Sequence, residues 1–145
     1  MVSKLKVVIA YVSYSGNTEE TAELIQNKLR ARGVSVKMHR IGVDPPIDPS
    51  HYDVVFIGTF TWANGSTPDE IKDFVLEIGY KPNNIAVFGT GDTQFRYFCG
   101  AVDKLVTFYG CKWPGLKIEQ APRGSQERLI DNWLKGVIDH DQRTA

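Results

Sequence analysis

"VVIAYVSYSGNTEETAELI" occupies residues 7–25, and its reading decides the fold. The stretch runs from solid apolar residues into small polar ones and then straight into helical spacing. It sits within Leu5–Val12, a near-continuous apolar run of the kind found in strands covered on both faces. Beyond the corner, Ala22, Ile25 and Leu29 fall on one face of a helix predicted over Thr18–Arg32. Asn17 is placed to cap that helix, and Glu20 three residues on completes a box-like pattern. Lys28, Arg30 and Arg32 suit the negative end of the helix, and Gly33 ends it. The corner itself, Ser13 to Thr18, carries more hydroxyls than a chain reversal needs.

The same alternation continues outward. Strands are predicted over Val34–Met38, Val54–Gly58, Ile85–Gly89 and Leu116–Ile118. "IGVDPPIDPSHYD" holds too much proline for a full helix, so this crossover is read as loop or one short turn. Pro68 opens a helix through "DEIKDFVLEI". Phe98–Tyr109 reads as a helix with Val102, Leu105 and Val106 inward. Ser125–Ile138 reads as the last helix, with Leu129, Ile130, Trp133, Leu134 and Val137 as its core stripe, and "HDQRTA" as a frayed tail. Strands alternating with helices imply a parallel sheet with helices on both faces, an α/β class.

The totals fit that class. A chain of 145 residues suggests one domain over 1–145, with a core of ordinary size. Seventeen basic residues balance seventeen acidic ones, so neither nucleic acid nor membrane is expected as a partner. Cys99 and Cys111 form no CxxC pair and no zinc-type cluster with the three histidines, which fits a reduced, cytoplasmic setting. No metal site is expected. Lys4 and Lys6 ahead of an apolar run resemble a leader only superficially, because the run breaks at Ser13 without a cleavage pattern. The histidines are read as surface or strand-end residues, Cys99 as packing at a helix start, and Cys111 and Trp113 as part of the turn into the fifth strand.

Ligands of such sheets bind at the carboxyl ends of strands, near the point where strand order reverses. Three loops open at that edge: "SYSGNT" (13–18), "TFTWANGSTP" (59–68) and "TGDTQFRYFC" (90–99). The first meets a helix N-terminus, where free N–H groups and the dipole favour an anion. Ser13, Ser15, Asn17 and Thr18 add neutral donors, Gly16 lets the backbone come close, and no Lys or Arg is present. A terminal phosphate held by neutral groups suits this loop; a capped polar turn is the plainer reading. Without the lysine of GxxxxGK[ST], a P-loop is excluded. Trp62 is either a lid on the sheet edge or a stacking face for a planar ligand. Phe95 and Tyr97 offer a second plate; the plainer reading has Tyr97 and Phe98 as ordinary packing at a helix start. A phosphate cradle and two aromatic plates at one edge together favour a bound ligand.

"SYSGNT", "GTFTWANGSTP" and "GTGDTQFRYFCGAVD" resemble, in order and spacing, the three FMN-binding loops of the short-chain bacterial flavodoxins. The likeness extends through "LKIEQAP" and the closing helix. It implies a flavodoxin-like three-layer sandwich, with a five-stranded parallel sheet of order 2-1-3-4-5. It implies tightly but non-covalently bound FMN and a one-electron carrier. Such a carrier docks transiently, as a monomer, with a flavodoxin reductase-type donor and with redox acceptor enzymes. Carried over by position, Ser13, Tyr14, Ser15, Gly16, Asn17 and Thr18 surround the phosphate. Thr59, Phe60, Thr61, Trp62, Ala63, Asn64 and Gly65 form the second loop, with Thr61 as a further polar contact and Trp62 on the inner flavin face. Thr90, Gly91 and Asp92 meet the pyrimidine edge through backbone groups. Phe95 takes the place of the outer stacking Tyr, followed by Tyr97, Phe98 and Cys99.

Four departures from the family pattern carry expectations of their own. Ala63 stands where Gly is common. In the family a peptide here turns its carbonyl toward flavin N5 and stabilises the neutral semiquinone. A side chain at that position makes the positive φ cost roughly 1 kcal/mol or more, so weaker stabilisation is expected. Phe95 lacks the hydroxyl of the usual Tyr. Asn64, Ser66 and Arg96 make the rim less acidic, so the second reduction should be easier by Coulomb repulsion alone. The net charge is zero where relatives are strongly acidic, which points to a partner less dependent on salt.

Other readings of the fold class lose on residues. A response regulator needs carboxylates where this chain has "SYS" and "GTF". A small tyrosine phosphatase needs Cys-x5-Arg, whereas Leu105 and Lys117 stand at that spacing from the two cysteines. HExxH and GxSxG are absent. Two flavin-based alternatives stay open: an activator of the manganese ribonucleotide reductase, and an FMN-dependent NAD(P)H or quinone oxidoreductase.

Overall fold

The five predicted strand segments become five parallel strands: β1 (Lys6–Tyr11), β2 (Ser35–Arg40), β3 (Val54–Phe60), β4 (Ile85–Gly91) and β5 (Leu116–Glu119). Between and after them come α1 (Asn17–Ala31), a 3-10 turn at Pro49–His51, α2 (Asp69–Ile78), α3 (Gly100–Tyr109) and α4 (Ser125–Thr144). This computed structural model describes residues 5–144, with side chains to residue 139. The sheet order is β2-β1-β3-β4-β5, as the family resemblance implied. The order reverses direction between β1 and β3.

Strand alternation divides the core into two. Val7, Ile9, Phe56 and Phe88 face Ala22, Ile25 and Leu29 of α1 and Trp133, Leu134 and Val137 of α4. Val8, Ala10, Val55, Ile57 and Val87 face Ile71 and Phe74 of α2 and Val102 and Leu105 of α3. Both faces are thus covered, which is why the central strands β1, β3 and β4 read as near-continuous apolar runs, while the edge strands β2 and β5 alternate. α1 and α4 are joined at their surface by Lys28, which reaches Glu127 at 3.0 Å and Asp131 at 2.6 Å. On the outer strand β2, Ser35, Lys37 and Arg40 are exposed.

Several local expectations need correction. Asn17 does not cap α1. Gly16 does, with φ 95°, and no side chain supplies a capping bond, so the box with Glu20 does not form. α3 begins at Gly100, because Cys99 adopts a left-handed φ of 51° that no helix continues through. Strands β3 and β4 outrun their predicted ends, Phe60 pairing with Thr90. His39 lies near the end of β2, as one of its two readings had it, but is buried and not at the surface, its ring 5.7 Å from that of Phe74. Leu129 is half exposed and lies off the core stripe. The α4 backbone stays helical through 144, so the frayed tail is not observed there. The side chain of residue 140, the third histidine, lies outside the described part.

Candidate functional site

The three loops emerge together because the strands end together. Tyr11 pairs with Gly58, Phe60 with Thr90 and Gly91 with Glu119. Their successors therefore line one edge of the sheet, at the carboxyl ends of β1, β3 and β4.

The first loop leaves α1 with an open N-terminus. Gly16 in the left-handed region turns the chain into the helix, and a Cβ there would meet nothing within 4 Å. The first N–H groups of a helix lack intrahelical partners, and here no side chain caps them. The Ser13 hydroxyl accepts from Gly16 N–H at 3.1 Å, holding the loop in a tight turn. Ser15 is exposed and Asn17 half-buried. Thr18 is different. Its hydroxyl is buried and lies 2.7 Å from that of Thr90. That pairing turns both hydroxyls inward, away from the loop edge. Glu19 and Glu20 also occupy the first turn of α1. They suit the dipole but oppose a second anion. Arg123, from the loop before α4, pairs with Glu20 at 3.2 Å and offsets part of that charge. Sequence reasoning missed Arg123, and no spacing rule links residues 103 apart.

The second loop is tied to α3 from behind. The Thr61 hydroxyl accepts from Ala101 N–H at 3.0 Å, serving the start of α3. Residues 62–65 close a turn in which Gly65 N–H donates to the Trp62 carbonyl at 2.8 Å. Ala63 and Asn64 hold that turn with ordinary φ, while Gly65 alone takes a positive value, 87°. A Cβ on Gly65 would fall 2.8 Å from the Tyr97 ring, so only glycine fits between the two loops. Asn64 accepts from Ser66 N–H at 3.0 Å and from the Ser66 hydroxyl. Lys104 reaches back to donate to the Gly65 carbonyl at 2.9 Å.

Aromatic rings collect on this edge. Trp62 meets Phe60 at 4.9 Å and Tyr14 at 5.2 Å, both edge-on. Trp62 keeps 43%, Phe95 48% and Tyr97 50% of their surface exposed, and Tyr14 keeps 78%. Among the described residues nothing covers these rings. The third loop is shaped by Asp92, whose carboxylate accepts from Gln94 N–H at 2.9 Å and whose carbonyl accepts from Phe95 N–H at 3.1 Å. Arg96 lies 5.6 Å from the Tyr97 ring centre. The Gly91 carbonyl is taken by Gln120 N–H at 2.7 Å.

Some site residues named from sequence turn inward. Thr59 is buried, and its hydroxyl donates to the Phe60 carbonyl at 2.7 Å. Phe98 packs against the core, and burial pushes the Cys99 thiol up to about 12. Cys99 is therefore an inert packing group. Among the described residues no three His, Cys, Asp or Glu side chains come together to hold a metal, and no helix is long and apolar enough to cross a membrane.

Residues 9–109 match the family model described as flavodoxin. The chain is 36% identical over 137 residues to a probable flavodoxin 2 of Bacillus subtilis, covering 88% of this chain and 91% of that one. It is 32% identical over 147 residues to a flavodoxin of Maridesulfovibrio salexigens, covering 92% and 97%. The crystal structure of oxidised flavodoxin 2 from Bacillus cereus superposes with a TM-score of 0.79 at 32% identity, over 93% of this chain and 99% of that one.

Proposed function

The chain belongs to the flavodoxin family, small electron-transfer proteins that carry FMN, and on that premise we propose how its own residues hold the cofactor and tune it. The loop edge fits FMN. An uncapped helix N-terminus beside Gly16, with neutral donors and open space, suits the phosphate. Ser13, Ser15 and Asn17 add side-chain donors; Thr18 adds its backbone N–H. Trp62 and Phe95 lie on the two loops that would flank a flat ring system. When bound, FMN supplies a ring that takes up and releases electrons one at a time. The protein's part is to orient that ring, exclude water from its faces and leave one rim open to a partner.

The observation that carries this reading is the set of exposed rings beside an unsatisfied helix end. The test is a visible spectrum of the purified protein during stepwise reduction, with affinities measured for FMN and for riboflavin. FMN should bind far more tightly than riboflavin, by the phosphate contacts. Colourless protein that refuses FMN would overturn the assignment.

The rim sets the neutral Asn64 and Ser66 and the cations Arg96 and Lys104 against the carboxylates of Asp92 and of Glu119, which accepts from the Thr93 hydroxyl at 2.7 Å. A rim this poor in negative charge repels the doubly reduced flavin less. The second one-electron potential should therefore be less negative than in relatives with acidic rims, as a redox titration would show. The protein acts as a cytoplasmic carrier between a reductase-type donor and redox acceptors, without turnover of its own. Oxidation of NADPH by the purified protein alone would instead mark it as an enzyme.

A further inference from the structure

We propose that Lys104 is a positioning residue, which clamps the Trp62 loop to α3 and places a positive charge behind the flavin site. The proposal rests on the FMN site argued above. Its starting point is a hydrogen bond that no loop motif announces. Lys104 lies on α3, outside the three loops, yet its Nζ donates to the Gly65 carbonyl at 2.9 Å.

Three contacts hold the second loop against the elements behind it. Thr61 is bound to the first turn of α3 through Ala101 N–H. Gly65 lies against Tyr97, where a Cβ would fall 2.8 Å from the ring and no side chain fits. Lys104 is the third, and it alone carries a charge. A charge-assisted bond is shorter and roughly twice as strong as a neutral one. Its acceptor belongs to the residue that ends the Trp62 turn, whose N–H already donates to the Trp62 carbonyl. The ammonium therefore fixes the turn whose other end presents the indole. The tip is otherwise ordered only from within the loop, by Asn64 accepting from Ser66 and by Trp62 N–H donating to the Ser66 carbonyl at 3.1 Å.

The charge has a second effect. An ammonium behind the loop attracts negative charge gathered at the site in front of it, and more so as that charge grows on reduction. Lys104 thereby favours the reduced over the oxidised cofactor from behind the loop and raises the potential. The neighbouring cation Lys117 is committed to Asp103 at 2.8 Å, leaving Lys104 directed at the loop.

The test compares the parent with Lys104→Met, which keeps length but loses donor and charge, and with Lys104→Arg, which keeps both. In the Met variant FMN affinity should fall about fivefold or more, and further for the reduced than the oxidised form, lowering the midpoint potential. Arg should restore both. In the cofactor-free protein the Gly65 and Trp62 amides should exchange faster in the Met variant, by more than the small fall in its thermal midpoint accounts for. Met and parent proteins within twofold in affinity, with equal potentials, would overturn the charge effect. Unchanged amide exchange would overturn the clamp. If even the parent refuses FMN, the cofactor site fails, while the exchange rates still decide the clamp.

Discussion

The hydroxyls of Thr18 and Thr90 stand 2.7 Å apart, both buried, and join the first turn of α1 to the end of β4. The pair fixes the uncapped helix end relative to the loop after β4. Either Thr→Val change alone leaves one buried hydroxyl without a partner, at about 1–3 kcal/mol. Removing both leaves none unpaired. Urea unfolding should show Thr90→Val destabilised and the double Thr18→Val/Thr90→Val variant recovering most of the loss. Additive losses would mean that the two hydroxyls do not act as a pair.

Gly16→Ala tests the cradle. A left-handed φ at a residue with a Cβ costs about 1–2 kcal/mol, and the new methyl projects into the open space beside the helix end. Stability should fall by about that amount. FMN affinity should fall more than riboflavin affinity in parallel titrations, because only FMN carries the phosphate.

Ala63→Gly addresses the turn at Trp62. Ala63 holds an ordinary φ here, and reaching a positive value costs it about 1 kcal/mol more than glycine. The glycine variant should raise the first one-electron potential, by roughly 40 mV for a one-electron couple. Equal potentials in parent and variant would count against any role for this peptide.

His39 predicts a pH dependence. Burial depresses its pKa below the ordinary 6.5, with Asp44 and Glu77 pulling upward and Lys37 downward. Its Nδ1 has no partner among the described residues. A depressed folded pKa means that the unfolded chain takes the proton first. Stability should therefore be flat above about pH 6.5 and fall as pH drops from there toward 5.5, before most carboxylates titrate. His39→Leu should flatten that slope in urea unfolding at a series of pH values.

Lys28 gives the last prediction. It is mostly covered and shared between Glu127 and Asp131 across α1 and α4, and its pKa is raised, chiefly by the hydrogen bond to Asp131. Lys28→Met should cost about 0.5–1 kcal/mol at low salt. The gap between parent and variant should shrink in high salt, because screening weakens the parent's ion pairs.

Much of the architecture could be read from residues 7–25, because a doubly covered strand and an amphipathic helix leave opposite periodicities. The strand ends could not. Thr59 and Thr90 look like loop residues until β3 and β4 pair, since only cross-strand register carries the ladder past Gly58 and Gly89. The cap of α1 was misplaced because Asn17 is a good capping residue by type, while Gly16 takes the position by its left-handed φ. Thr18 looked like a free donor for the same reason: its partner is 72 residues away. His39 and Leu129 exchanged environments with expectation. Burial there follows from which helix lies over which strand, and no single segment encodes that.

The outer strand β2 has a consequence for how copies of this protein meet. A sheet edge is a template for another strand, and a chain with no net charge has no overall repulsion to keep its copies apart. Lys37 and Arg40 stand exposed along that edge, so two copies meeting there would bring cation against cation. The two cations thus set copies of the chain against pairing along β2, one of the two edges of the sheet.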